Sequence, residues 1–247
     1  MQRLDQALSE RGLCASREKA KRAIMAGQVK VNGQLARKPS DKVEPGCRIE
    51  LLAGERFVSR GGHKLEHALE HFRVEVTGVT ALDLGASTGG FTDCLLQRGA
   101  ARVYAVDVGQ GQLAWKLRND PRVVVMERTN ARALTTADFP APFVPMDLVV
   151  ADCSFISLRK ILPPAVALLR RTGKLIALIK PQFEAGKAEA DKGAGVIADP
   201  AVHQRVVDEL KEFAAGLPAM AWRDVTESPL LGPAGNKEFL ALLENIG

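Results

Sequence analysis

"DLGASTGGF", residues 83–91, sets an apolar strand end directly against a glycine-rich turn. Doubly wound α/β folds hold nucleotide-like ligands at such a turn, because small residues let the backbone approach a ligand closely. On either side, short apolar runs alternate with helical segments: TALDLG, RVYAVDVG, VVVMER, MDLVVAD and KLIALIK, with a further packed run in EFLALLE. Runs of this kind read as strands buried on both faces, and their alternation with helices predicts a parallel sheet covered on both sides. The expected architecture of the larger part of the chain is therefore doubly wound α/β.

The turn itself narrows the ligand. A dinucleotide fingerprint reads G-x-G-x-x-G and a P-loop reads G-x-x-x-x-G-K-[ST]; residues 85–91 satisfy neither. Asp83 precedes the first glycine by two positions and would repel a pyrophosphate, whereas it suits a sulfonium-bearing amino acid. Asp107 ends the next strand, where a carboxylate suits the two hydroxyls of a ribose. This arrangement resembles the class I (Rossmann-like) S-adenosylmethionine-dependent methyltransferases. The candidate cofactor-binding residues are Asp83, Gly85, Ala86, Ser87, Thr88, Gly89, Gly90, Phe91 and Asp107, with Asn130, after the third strand, either near the adenine or a plain turn residue.

The 247 residues are 46 % hydrophobic and 26 % charged, enough for one large domain and one small one. The N-terminus carries charges where a secretion signal needs an apolar region, and no apolar run reaches the length of about 18 residues that spans a bilayer. A cytoplasmic location is the expectation. Four cysteines, at positions 14, 47, 94 and 153, have no C-x-x-C spacing, so reduced thiols and no metal are expected. Charge is unevenly distributed. Residues 1–60 hold 13 Lys and Arg against 7 Asp and Glu, while residues 61–247 hold 21 against 22. All of the basic excess lies in the first quarter, as expected of a polyanion-binding module joined to a near-neutral body.

In that quarter, Leu4, Ala7 and Leu8 mark one short amphipathic helix, and Ala20, Ala23 and Ile24 another, with Ser16 as its N-cap and Gly27 as its stop. "QVKVNGQ" alternates around Asn32-Gly33, a strong hairpin signal, and "CRIELL" supplies a further strand. The Arg-Leu-Asp at 3–5, the S-R-x-x-A at 16–20 and the G-x-V-x-V-N-G at 27–33 together resemble the S4 RNA-binding domain. The resemblance implies that the helices meet structured RNA through phosphates, with Arg3, Arg11, Arg17 and Lys21 as candidate RNA-binding residues. The expected division is an α+β S4-like domain at 1–56, a linker at 57–62 within "AGERFVSRGG", and the methyltransferase domain at 63–247.

A methyl group on a sulfonium is already activated, so an enzyme using it mainly aligns the partners and helps the nucleophile. A ribose hydroxyl is a poor nucleophile at neutral pH and needs a basic or charge-stabilising group beside it. Lys64 in "SRGGHKLEHAL", Asp152 in "VVADCSF", Lys180 in "LIALIKPQFE" and Glu238 in "GNKEFL" supply one, and Asp152 and Lys180 follow the C-terminal ends of expected parallel strands. This set resembles the Lys-Asp-Lys-Glu tetrad of the FtsJ-like ribose 2'-O-methyltransferases. With S-R-G-G-x-K-L at 59–65, D-x-G-A-S-T-G-G-F-T-D at 83–93, I-K-P-Q-F-E at 179–184 and S-P-x-x-G-x-x-G-N-x-E-F at 228–239, the whole chain resembles the TlyA family. That resemblance implies S-adenosylmethionine-dependent 2'-O-methylation of cytidine in ribosomal RNA, with ribosomal RNA or a subunit as partner. It also implies that Lys180 activates or orients the hydroxyl with Lys64 beside it, and that Asp152 and Glu238 fix the lysines.

Three other readings compete. An S4 domain can precede a pseudouridine synthase, but that enzyme needs a β-rich body. Some members of the family carry the name haemolysin, yet a membrane-active protein calls for an amphipathic or apolar insertion segment, which the sequence does not offer. An RNA-binding scaffold without activity is disfavoured by the intact tetrad.

Overall fold

The computed structural model describes residues 1–52, 55–186, 189, 193 and 195–247; the first two residues of the expected join, 53 and 54, lie outside them. The chain forms two compact units, Met1–Arg56 and Phe57–Gly247.

The first unit packs two helices on short strands. β1 (Gln2–Arg3) leads into α1 (Leu4–Glu10), and α2 (Arg17–Met25) follows, its N-terminus capped by Ser16, whose hydroxyl accepts from the Lys19 N–H at 3.2 Å. β2 (Val29–Val31) and β3 (Gln34–Leu35) form the expected hairpin, with Asn32 at φ 48° and Gly33 at φ 83°, the two left-handed residues that a type I′ turn requires. β4 (Lys42–Val43) pairs with β1, and β5 (Ile49–Leu51) pairs with β2. Leu4, Ala7, Leu8, Ala20, Ile24, Val29 and Val43 make the core.

In the second unit, α3 (Gly61–His71) precedes β6 (Thr80–Leu84), α4 (Gly90–Gln97), β7 (Arg102–Val106), α5 (Trp115–Arg118), β8 (Val123–Met126) and β9 (Met146–Ala151). There follow α6 (Leu162–Ala167), β10 (Leu169–Ile179), α7 (Pro181–Glu184), α8 (Pro200–Ala215), β11 (Met220–Glu227) and β12 (Phe239–Asn245). The seven strands form one sheet in the order β11-β12-β10-β9-β6-β7-β8. The five from β10 to β8 are parallel, and β12 runs antiparallel between β10 and β11. Strand order reverses between β6 and β9, the switch point beyond whose carboxyl ends ligands bind in this class of sheet.

Residue alternation sorts the core onto two faces. Leu82, Leu84, Val149, Ala151, Leu175 and Ala177 join Leu162 of α6 and Val206, Leu210 and Ala214 of α8. Ala81, Leu148, Val150, Ile176 and Leu178 join Leu65 and Leu69 of α3 and Phe91, Cys94 and Leu95 of α4. This is the three-layer α/β/α arrangement expected from the sequence.

The expected linker at 57–62 is a correction. Phe57 is buried against the α3–α4 side of the core, Val58 N–H donates to Asp93 Oδ2 at 2.8 Å, and α3 already begins at Gly61. Gly62 allows this, because a Cβ there would come within 2.2 Å of the Phe57 ring. The segment is the first piece of the larger unit. β11 is the other difference: "MAWRDVTE" shows little apolar continuity, since as the sheet's edge it is half exposed and shifts register between Trp222 and Asp224.

Candidate functional site

The glycine turn sits where β6 ends. Gly85 takes φ 85°, and a Cβ on it would stand 2.7 Å from the Asp152 carbonyl oxygen, so only glycine lets this turn lie against the end of β9. Gly89, at φ 96°, leaves no room for a Cβ beside Leu113 and Leu117, and Gly90 sits against Ser59 and the Gly62 amide. Gly89 therefore serves packing within the protein, while Gly90 combines packing with a place on the wall of a second cavity described below. Phe91 is likewise buried in the core beneath.

A cleft of about 550 Å³ opens beside the turn, lined by Gly85, Ser87, Asp107, Gln112, Thr129, Asn130, Arg132, Asp152, Cys153, Ser154 and Phe155 among others. Asp107 Oδ2 accepts from Ser87 N–H at 2.8 Å, and its Oδ1 accepts from Gly109 N–H at 2.7 Å, which ties the ends of β6 and β7 together. Asn130 lines the cleft and also caps a short 3-10 turn through the Arg132 N–H, so both of its expected roles are compatible.

Asp83 lies fully buried under the turn. Thr92 Oγ1 donates to its Oδ2 at 2.6 Å, while its Oδ1 has no hydrogen-bond partner among the described residues. Burial pushes its pKa up to about 7; the Thr92 hydrogen bond opposes that rise, and the charges of Asp152 and Asp107 add to it. Three carboxylates thus surround the glycine turn, one of them with an unsatisfied buried oxygen. This donor set fits a cationic amino-acid ligand carrying a ribose and would repel a pyrophosphate. Cys153, by contrast, is inert as a nucleophile, since burial holds its thiol at about 12.

A second cavity, about 280 Å³, shares Gly85, Ser87, Asp152 and Ser154 with the cleft and adds Ser59, Arg60, Lys64, Ala86, Thr88, Gly90, Phe91, Lys180 and Glu238. The four charged residues expected from the sequence meet here as two pairs. Lys64 Nζ lies 2.5 Å from Glu238 Oε2, and Lys180 Nζ lies 2.5 Å from Asp152 Oδ1. Both lysines and Glu238 are buried. They come from α3, from the residues just after β9 and β10, and from the residue before β12. Glu238 is held close by Gly232, whose missing side chain leaves room for Oε1.

The sequence reading did not single out Ser154, whose Oγ accepts from Lys180 Nζ at 2.8 Å. It lies two residues after Asp152, and no spacing signal marked it. Nor did it find Phe155, which stands 90 % exposed at the cleft with φ 61° and packs against the Phe183 ring.

The candidate RNA-binding residues of the first unit are tied into its own fold. Arg3 Nε and Nη2 each donate to Asp5 at 3.0 Å, and Arg17 Nη2 donates to the same carboxylate at 3.3 Å. Arg11 donates to the carbonyls of Cys47, Pro45 and Glu44, and Lys21 pairs with Glu18 at 2.7 Å. Arg3 and Arg17 remain about half exposed, with N–H groups still facing outward from the pair.

Comparison with known proteins agrees with this geometry. The FtsJ-like methyltransferase family profile matches residues 57–245, and the S4 domain profile matches residues 2–49. The chain is 49 % identical to the 16S/23S rRNA (cytidine-2'-O)-methyltransferase TlyA of Mycobacterium tuberculosis over 98 % of this chain and 89 % of that protein. It is 41 % identical to Hemolysin A of Brachyspira hyodysenteriae, covering 97 % and 98 % of the two. A solved structure from Streptococcus thermophilus, described as a candidate hemolysin, superposes with a TM-score of 0.75 at 43 % identity, covering 99 % of this chain and 88 % of that one.

Proposed function

Because this chain belongs to the FtsJ-like methyltransferase family and carries an S4 domain ahead of the methyltransferase body, we propose that it methylates the ribose 2'-hydroxyl of a cytidine in ribosomal RNA, using S-adenosylmethionine. The observation that carries this reading is the pair of lysine–carboxylate contacts in a cavity that shares one wall with the donor cleft. Its position suits an acceptor hydroxyl on one side of the wall and a methyl donor on the other.

Asp107 would hold the cofactor's ribose, Asn130 and the rim of the cleft its adenine, and Asp83 with the glycine turn its cationic amino-acid end. Bound there, S-adenosylmethionine supplies a methyl group already activated on a sulfonium. Lys180 orients the 2'-oxygen and stabilises the negative charge that develops on it as the hydroxyl proton passes to water and the methyl group bonds to the oxygen, and Asp152 and Ser154 hold the Lys180 Nζ in place. Lys64, clamped by Glu238, adds positive charge to the same cavity and meets the neighbouring ribose or phosphate. Both lysines and Glu238 are buried, so their contacts are stronger than they would be in water.

Residues 1–56 form the S4-like RNA-binding unit in this reading. Arg3, Arg17 and Lys21 present positive charge to phosphates while anchored by their carboxylate partners, and Arg11 chiefly braces the fold through its three carbonyl acceptors. Among the described residues no helix is long and apolar enough to cross a membrane, and no feature of the site favours a membrane-active role despite the hemolysin names of some relatives.

The deciding experiment is incubation of the purified chain with ribosomal subunits and methyl-labelled S-adenosylmethionine, followed by mapping of ribose methylation. A new 2'-O-methylcytidine is expected; label appearing on a base, or no label on either subunit, would sink the proposal.

A further inference from the structure

Between β7 and β8 the methyltransferase body reverses its charge. Residues 110–132 hold five Lys and Arg against two Asp and Glu, although residues 61–247 as a whole are slightly acidic. Lys116, Arg118 and Arg122 pair with Asp93, Glu127 and Asp120. Arg128 binds the neutral side chain of Gln110, and Arg132 has no carboxylate partner among the described residues. A local positive field is therefore left over at this edge.

The same segment is fixed from below. Leu113 and Leu117 are buried in the space that Gly89 leaves open, Ala114 N–H donates to the Thr88 carbonyl at 3.2 Å, and Gly111 N–H donates to Glu127 Oε1 at 2.7 Å. On this anchored loop Trp115 stands 78 % exposed. A large indole kept in water forgoes the burial that usually stabilises it, and a rigidly based one can accept a partner at little entropic cost. Trp115 lines neither the cleft nor the catalytic cavity.

We propose that Trp115 is a stacking platform for an unpaired nucleobase of the RNA substrate, outside the methyl-transfer site, with Arg128 drawing in an adjoining phosphate. An exposed indole face on a segment whose Lys and Arg outnumber its Asp and Glu has the composition of single-strand nucleic-acid surfaces, where bases stack on aromatic rings and cations follow the backbone. The inference rests on the RNA-methyltransferase reading above, and it gives the body an RNA contact of its own, independent of the S4-like unit.

The chain has two tryptophans, Trp115 and Trp222, so Trp222→Phe leaves Trp115 as the sole indole reporter in the full-length protein. A short single-stranded RNA should quench its fluorescence, and the same sugar–phosphate strand without bases should not. Trp115→Ala should weaken affinity for that RNA by about tenfold, Trp115→Phe much less, with S-adenosylmethionine affinity unchanged in both. Equal quenching by the base-free strand would overturn the proposal in favour of phosphate contact alone. Quenching by S-adenosylmethionine with no further change on adding RNA would overturn it in favour of the cofactor's adenine. Unquenched emission in a protein that still methylates ribosomal RNA would overturn it while leaving the catalytic reading intact. Should the wild-type chain transfer no methyl group, that reading fails, and the contrast between the two strands still decides whether Trp115 stacks on bases.

Discussion

Asp5 in the first unit and Asp83 in the second are equally buried, both at 0 % exposure, and their electrostatics are opposite. Asp5 receives both arms of Arg3, one of Arg17 and the Gln6 N–H. The Arg3 hydrogen bond outweighs the cost of burial, and the carboxyl is held at about 2. Asp83 is met only by Thr92 and keeps one oxygen with no partner among the described residues, so burial prevails and the carboxyl rises to about 7. Depth alone therefore does not decide what a buried charge does; its partners do. The first carboxylate is completed by the chain itself, and the second keeps one oxygen without a hydrogen-bond partner among the described residues.

If the body's charges serve chemistry and those of the first unit serve the fold, substitutions should divide the same way. The largest effect is expected at Lys180. Lys180→Ala should lower methyl transfer by about 10²–10⁴-fold with cofactor affinity and melting temperature near wild type, as single-turnover assays and calorimetry would register. Retention of most turnover would break the distinction. Next, Asp83→Asn removes the charge awaiting a cation and should weaken S-adenosylmethionine binding by about 2 kcal/mol, roughly thirtyfold, without loss of stability at neutral pH. A clear drop in melting temperature would place Asp83 with Asp5 as a fold residue.

Asp5→Asn should do the reverse. Loss of the shared carboxylate leaves two half-exposed arginines unpaired, for a cost of about 1–2 kcal/mol, read as faster hydrogen exchange in α1 and α2 at unchanged cofactor affinity. The smallest effects are the two pH windows. Asp5 has a lowered folded pKa, so its contribution is complete above the ordinary value of 3.8 and is lost as pH falls toward 2. Asp83 has a raised one: the folded chain keeps a proton that the unfolded chain has released, so stability declines as pH rises from 3.8 through about 7. Cofactor affinity should climb across that upper window, since the carboxylate must be ionised to meet a cation. Titration calorimetry that finds affinity flat between pH 6 and 8, roughly one unit either side of the midpoint, would remove Asp83 from the cofactor site.

Much of this was legible in the sequence because burial on both faces leaves unbroken apolar runs. TALDL, RVYAV, VVVM and MDLVVA became β6 to β9 nearly residue for residue. The membership of the tetrad was legible as well, but the pairing within it was not. Lys64 and Glu238 lie 174 positions apart, and nothing local couples them. Gly85 and Gly90 line the cavities as the glycine turn suggests, but Gly89 and Gly90 also make room for Leu117 and Ser59. Sequence marks where side chains are absent without marking what fills the space. The arginines of the first unit show the same limit: their charge was visible, and the carboxylate and carbonyls that occupy them were not.

β12 comes after β11 in the chain yet lies between β11 and β10 in the sheet. A ribosome making this protein therefore releases β11 with no neighbour to pair with, and β10 keeps an open edge until Phe239–Asn245 emerges. Glu238, which clamps Lys64, arrives at the same moment. Assembly is thus directional: the parallel strands and the cleft beside the glycine turn can form first, and the cavity holding Lys64 and Glu238 is completed last. A nascent chain arrested after α8 is expected to capture S-adenosylmethionine and to methylate nothing, so that chemical competence coincides with the end of sheet assembly.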